Sequence, residues 1–73
     1  MIPTTELYTH AQKPRAALVY RRGASGHVVT MMGKDGTARY PVEDEHAAAS
    51  LFGVLRLKLV VDGYRNADEV RMA

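Results

Sequence analysis

Hydrophobic stretches separated by short polar segments mark the first half of the chain, a pattern typical of β-strands joined by turns. Three segments are rich in β-forming residues: 16–22, 27–32 and 37–42. The two intervening segments, residues 23–26 and 33–36, begin and end with glycine, which tolerates the positive φ angles of tight turns. The pattern therefore predicts a three-stranded antiparallel meander, and Pro41 suits an edge position for its third strand.

The length of the turns determines which side chains share a face of this sheet. If each turn spans four residues, Arg22 lies opposite His27 and Met32 lies opposite Thr37. One face is then almost entirely apolar and consists of Leu18, Tyr20, Val29, Met31, Ala38, Tyr40 and Val42. The other face mixes basic, hydroxyl and apolar groups: Ala17, Val19, Arg21, Val28, Thr30, Met32, Thr37, Arg39 and Pro41. We predict that the first face carries the core and that the second meets solvent or a partner.

A helix is predicted after the third strand. Glu43, Asp44 and Glu45 favour the positive end of a helix dipole, and Asp44 is suited to cap it. Apolar residues follow at helical spacing: Ala48, Leu51, Phe52, Leu55 and Leu59. This stripe predicts that the helix covers the apolar sheet face. A carboxylate metal cluster at the same place is disfavoured, since His46 is the only nearby imidazole.

The end of the helix allows two interpretations. Residues 57–64 either complete the helix, with Gly63 near its C-terminus, or form a strand that enters an Asp62-Gly63 hairpin. We favour the helix because the apolar period continues unbroken to Leu59. The following residues either form a short helical turn, which the capping-box pattern at 66–69 indicates, or pair as a fourth strand.

The start of the chain shows no sustained period and contains Pro3 and Pro14, which is typical of an extended arm. We therefore predict an extended N-terminal arm at residues 1–15 and a single β-β-β-α domain with a short C-terminal extension at residues 16–73. With 73 residues, the chain is long enough for one domain only. The expected fold class is a small α+β domain.

The amino-acid composition limits how this domain can be stabilised and where in the cell we expect it. The chain has no cysteine, so neither a disulfide framework nor a thiolate zinc site can stabilise it. Its longest mainly apolar stretch, residues 51–61, is far shorter than the ~20 residues of a membrane span, and its start lacks the pattern of a secretory signal. We expect a soluble, cytoplasmic protein with no membrane partner.

The net charge of +2 is small, but its distribution is uneven. Residues 1–40 hold six basic and two acidic residues, whereas residues 41–73 hold four basic and six acidic residues. This asymmetry is consistent with ordinary surface solvation or with a basic surface that binds an acidic patch of a partner.

The sequence contains no recognisable catalytic motif. The three histidines, His10, His27 and His46, lie in different predicted elements and share no local motif. The glycine-containing segment at 23–26 lacks the strand-to-helix context and the lysine of a phosphate loop. We therefore predict a protein that is not an enzyme and that binds neither a cofactor nor a metal.

Binding is the remaining class of function, and the mixed sheet face is the best candidate for it. Arginines among apolar groups are typical of protein interfaces, where the apolar neighbours dehydrate the ion pairs that the arginines form. We predict partner contacts from the arm and from the sheet by Tyr8, Arg15, Val19, Arg21, Arg22, Thr30 and Arg39.

Residues 16–59 resemble plant AP2-type domains and phage-integrase arm-binding domains in the order of their elements. The resemblance includes the strand-to-helix junction YPVEDEHAAA at residues 40–49. Those domains place their sheet in the DNA major groove, which implies DNA binding by the mixed face. The basic and tryptophan residues that such sheets use are mostly missing here.

The whole chain also resembles the small host-takeover proteins of lytic bacteriophages in its size, its lack of a catalytic set and its single folded unit with an arm. Within this group, the chain resembles the RNA polymerase-binding transcription regulator of a Xanthomonas phage. The resemblance implies binding to RNA polymerase at the β′ N-terminal region and the β flap. It further implies inhibition of host transcription initiation, and antitermination. We expect a monomer in the bacterial host cytoplasm.

Two alternatives stay open. One is a small DNA-binding domain that uses the same basic sheet face, and the other is a protein inhibitor of another bacterial machine, such as a defence nuclease. The resemblance assigns no role to any individual residue.

Overall fold

An antiparallel sheet with helix α1 packed on one face forms the architecture of the computed structural model, which describes residues 4–24 and 26–67. The elements in chain order are β1 (Thr4–Thr9), β2 (Ala16–Gly23), β3 (Gly26–Gly33), β4 (Gly36–Val42), α1 (Glu45–Val61) and β5 (Arg65–Asn66). The strands lie in the order β4-β3-β2-β1-β5. The predicted α+β class, with a meander covered by one helix, is confirmed.

The two hairpins have the predicted register. Arg22 pairs with His27, and Met32 pairs with Thr37. Gly36 closes the second turn with a φ of 107°, a conformation that residues with a Cβ rarely adopt. Because both turns have the predicted length, the side chains of β2, β3 and β4 lie on the predicted faces.

The N-terminal segment differs from the predicted division into an arm and a domain. Strand β1 pairs with β2 from Thr4 opposite Tyr20 to Tyr8 opposite Ala16. The segment is extended, as expected, but it is an integral strand of the sheet, so a domain that begins at residue 16 omits part of the fold. The physical reason is that β1 satisfies the open backbone edge of β2 and supplies Tyr8 to the core.

Helix α1 begins at its predicted cap. The Asp44 side chain accepts a hydrogen bond from the backbone N–H of Ala47 at 2.7 Å, and Glu45 adds a carboxylate in the first turn. A cap of this kind stabilises a helix by about 1 kcal/mol.

The helix also ends as the favoured interpretation predicts. It continues to Val61, and Gly63 follows with a φ of 99°. The backbone N–H of Tyr64 donates to the carbonyl oxygen of Leu59 at 2.9 Å, which ends the helix by a bond typical of glycine-containing C-caps. Residues 57–64 therefore do not form the alternative hairpin.

The core lies between α1 and the predicted apolar sheet face. Its buried members are Tyr8, Ala16, Leu18, Tyr20, Val29, Ala48, Phe52, Leu55, Leu59 and Tyr64. Partly buried residues pack around them: Met31, Tyr40, Val42 and Leu51. The predicted helix stripe and the predicted face, apart from Ala38, thus form the core, and the N-terminal strand and Tyr64 close its far side.

The C-terminal part of the sheet is short. Strand β5 pairs with Tyr8 and Thr9 of β1, so Arg65–Asn66 form a strand after the helix, whereas the alternative helical turn falls mainly on residues beyond them. Asp68 and Glu69, half of the predicted capping box, lie outside the described residues. Within the described ranges, no helix combines the length and apolar character needed to cross a membrane.

Candidate functional site

The sheet face opposite α1, which we call the outer face, forms a shallow groove of about 590 Å³. The residues that line the groove come from β2, β3 and β4: Val19, Arg21, Gly23, Val28, Thr30, Met32, Thr37, Arg39 and Pro41. Apart from Gly23 these residues all belong to the predicted mixed face. The register of the two hairpins is what brings them together.

The outer face combines positive charge with apolar surface. Arg21 and Arg39 are both exposed, and no acidic residue lines the groove. Val19 is 8% exposed and therefore contributes to the floor of the groove more than to its rim. Thr30 pairs with Val19 on one side and with Arg39 on the other, so a hydroxyl group lies in the same cross-strand row. The arrangement can accept a carboxylate beside an apolar group.

Strand β1 extends the outer face in a way that the sequence analysis missed. Thr5 pairs with Val19, and Leu7 pairs with Ala17, so both side chains point away from the helix. Leu7 is 56% exposed, and it shares a cross-strand row with Met32, which is 40% exposed. The alternation in residues 4–9 is the signal that could have revealed this strand.

Tyr8 was predicted as a partner contact, but the structure places its side chain in the core. It is 1% exposed and lies on the helix-facing side of β1. Its hydroxyl donates to Glu6 Oε1 at 2.6 Å. Because alternate residues of a strand point to opposite faces, the strand that presents Leu7 to the outside buries Tyr8.

The remaining predicted contacts are divided among three places. Val19, Arg21, Thr30 and Arg39 share the outer face. Arg22 is exposed, but it follows Arg21 in the strand and therefore lies on the opposite, helix-facing side, at the end of the sheet. Arg15 is exposed in the segment before β2 and does not line the groove.

Neither a family model, nor a curated protein, nor a solved structure matches this chain.

The histidines contribute to structure at two places. The hydroxyl of Tyr20 lies 2.7 Å from His27 Nδ1, and the two rings stack with their centroids 5.9 Å apart. His10 Nε2 lies 3.1 Å from the carbonyl oxygen of Asp62, beside the ring of Tyr64. In the described part of the chain, no three His, Cys, Asp or Glu side chains come together as a metal site.

An ion pair on the other side of the sheet holds β1 to the helix. Arg56 donates from Nε to Glu6 Oε1 at 3.0 Å and from Nη2 to Glu6 Oε2 at 2.8 Å. The guanidinium carbon also lies 5.3 Å from the centroid of the Phe52 ring. Burial raises the pKa of Glu6, but the hydrogen bonds from Arg56 and Tyr8 outweigh it, and the pKa lies below its ordinary value.

This ion pair predicts a pH-dependent part of the stability. Because folding lowers the pKa of Glu6, its contribution is complete above the unfolded pKa near 4.5 and disappears as the pH falls through the folded pKa. We expect Arg56→Gln to lower the free energy of unfolding by about 0.5–1 kcal/mol more at pH 7 than at about pH 2, a modest effect since solvent screens the pair. Urea titrations at both pH values measure the difference.

The control for this experiment is Lys58→Gln, which removes a positive charge from the same helix without removing a partner of Glu6. If Arg56→Gln lowers the free energy of unfolding equally at both pH values, the prediction is contradicted. Such a loss would come from the packing on Phe52, which does not depend on pH.

Proposed function

We propose that this protein is a non-enzymatic regulator that binds another protein through its outer face. The observation that supports the proposal is the pairing of two exposed arginines, Arg21 and Arg39, with an apolar groove that no acidic residue lines. Arginine and apolar groups are characteristic of the centre of protein interfaces.

The geometry suits an acidic protein surface. A guanidinium forms two parallel hydrogen bonds with one carboxylate, and the apolar residues beside it exclude water from that pair. The strands hold the backbone of both arginines in place, so little backbone freedom is lost on binding. Leu7 and Met32 enlarge the apolar part of the same surface.

We further propose bacterial RNA polymerase as the partner, because the resemblance to phage host-takeover proteins implies it. The contacted parts would be the β′ N-terminal region and the β flap, in the cytoplasm of the bacterial host. Occupation of those parts would displace the promoter-specificity factor and inhibit transcription initiation, and it would favour antitermination at later stages.

DNA binding by the same face is the alternative that the positive charge supports. Only two of the nine residues that line the groove are basic, however, and none is aromatic. A sheet that reads DNA is expected to present more cations along the phosphate backbone. The protein partner therefore fits this face better.

The proposal predicts that charge reversal on the outer face abolishes binding. We expect the double variant Arg21→Glu/Arg39→Glu to bind RNA polymerase about 100-fold or more weakly, since each reversal leaves an acidic partner group facing a negative charge. The matched control is Arg22→Glu, which changes the neighbouring residue of the same strand on the opposite side of the sheet. Circular dichroism checks that both variants are folded.

The partner is identified by affinity capture from bacterial lysate, with and without nuclease, followed by mass spectrometry. RNA polymerase subunits that persist after nuclease treatment, and that the double variant fails to capture, are the expected result. Loss of all partners on nuclease treatment, with binding that weakens steeply in salt, would point to DNA instead. A different nuclease-resistant partner, such as a defence nuclease, would overturn the assignment to RNA polymerase.

A further inference from the structure

Helix α1 has a second apolar face that points away from the core. Val54, Leu57, Val60 and Val61 are exposed by 53%, 62%, 54% and 79% of their surface. The helix packs on the sheet through Ala48, Phe52, Leu55 and Leu59, so these valines and the leucine lie on its opposite side. A surface helix of a small domain usually carries charged residues there.

Small side chains form the N-terminal half of the same outward face. Ala49, Ser50 and Gly53 are exposed and recur at spacings of three and four residues with Leu57 and Val60. We call these residues, with Val54 and Val61, the outward stripe. Small side chains thus occupy one half of the outward stripe, and large side chains occupy the other.

Gly53 has no explanation within the described chain. A Cβ at this position would meet no atom within 4 Å, and the residue has ordinary negative φ. Alanine would stabilise the helix more, because glycine has greater backbone freedom to lose. A glycine in the middle of an exposed helix is, however, suited to the close approach of another chain.

We propose that the outward stripe binds the outward stripe of a second copy of this chain in antiparallel orientation, which gives a twofold-symmetric dimer. With Gly53 opposite Leu57 of the second copy, Ser50 comes opposite Val60 and Ala49 comes opposite Val61. Each small residue then faces a large one. Twofold symmetry repeats every pairing at the other end of the contact, so both halves of the stripe are used.

The helix dipoles favour the antiparallel orientation over the parallel one. In an antiparallel pair, the positive N-terminal end of each helix lies beside the negative C-terminal end of the other. A parallel pair would place like ends of the two dipoles together.

The size of the contact sets its expected strength. A helix of 17 residues is about 25 Å long, so a seam along it falls near the lower end of the areas found in stable dimers, about 1,200 Å² in total. We therefore expect a dissociation constant of about 10–100 μM. The outer face lies on the other side of the sheet and stays accessible in such a dimer, so the inference does not depend on the proposed function.

Sedimentation equilibrium on the full chain, from about 5 to about 500 μM, tests the dimer directly. We expect the mass to rise from 8.1 kDa towards twice that value. Leu57→Glu is expected to keep the protein monomeric throughout that range, and Gly53→Leu is expected to raise the dissociation constant at least about tenfold. Thermal unfolding checks that each variant remains folded.

The matched control is Leu7→Glu, because Leu7 is 56% exposed, close to the 62% of Leu57, but lies on the outer face. It should dimerise like the unchanged protein. A chain that stays monomeric over the whole range, a mass that exceeds that of a dimer, or equal effects of the two leucine variants would each overturn the inference.

The orientation is tested with cysteine pairs, since the chain has no native cysteine. A mixture of Gly53→Cys and Leu57→Cys chains should cross-link between the two variants at least several times faster than either variant cross-links with itself. Faster cross-linking within each variant would contradict the antiparallel pairing.

Discussion

Replacing Tyr8 with alanine is expected to lower the free energy of unfolding by about 3–5 kcal/mol. Tyr8 is 1% exposed and is one of the largest fully buried side chains among the described residues. The loss arises because the apolar contacts of the ring disappear and a cavity remains. A chain of 73 residues has a total stability of about 4–11 kcal/mol, so this loss is a large fraction of it.

The matched variant is Tyr8→Phe, which keeps the ring and removes only the hydroxyl that donates to Glu6 Oε1. We expect it to remain folded, with a loss of about 1–2 kcal/mol, as for one hydrogen bond to a charged group. Urea unfolding followed by circular dichroism compares the two variants. Wild-type stability in Tyr8→Ala would mean that the N-terminal segment is an extended arm outside the folded domain, as the sequence analysis expected.

That expectation shows where the sequence was informative and where it was not. The register of β2, β3 and β4 was predictable because each turn is local and glycine marks its position, so the two-residue period assigns every side chain to a face. The helix was predictable for the same reason, since a local cap at Asp44 and a local apolar period determine its start and its buried side.

Strand β1 was missed because its pairing is not local. Residues 10–15 separate it from β2, and that connection has neither glycine nor a two-residue turn pattern. Pro3 and Pro14 weakened the strand signal further. The consequence for the candidate site was direct: Tyr8 was assigned to a partner contact instead of the core, and Leu7 was left out of the outer face.

The outward stripe of α1 was missed for a different reason. Its core-facing residues have helical spacing and were enough to predict a buried side. Val54, Leu57 and Val61 recur with the same spacing on the opposite side, but a helix that is apolar on both sides differs from a buried one only in its three-dimensional surroundings. In this fold the helix packs on the sheet by one side only, and the structure therefore shows that the second stripe is exposed.

Gly63→Ala is expected to destabilise the protein by about 2–3 kcal/mol, more than an ordinary turn glycine would. Gly63 has a φ of 99°, and a Cβ there would lie 2.9 Å from His10 Nε2. His10 cannot simply move aside. Its Nδ1 accepts a hydrogen bond from the backbone N–H of Gln12 at 2.9 Å, and its ring packs edge-on against Tyr64.

This contact closes a junction between the segment before β2 and the end of the helix. Lys13 Nζ lies 2.7 Å from Asp62 Oδ2, and the hydroxyl of Tyr64 donates to the carbonyl oxygen of Pro14 at 2.8 Å. Strand β1 is held in the sheet at this junction as well as by its backbone pairing. A side chain at position 63 would therefore disturb several contacts together.

The matched control is Gly36→Ala. Gly36 has a similar φ of 107°, but a Cβ there would meet no atom within 4 Å, so it reports the backbone strain alone, about 1–2 kcal/mol. Chemical denaturation is measured for both glycine variants, alone and combined with His10→Ala. The comparison separates the cost of backbone strain from the cost of the contact with His10. The excess loss at Gly63 should shrink when His10 is absent, because the atom that the new Cβ meets has gone. Equal losses at the two glycines, with no effect of His10→Ala on their difference, would show that the junction yields without resistance and does not help to hold β1.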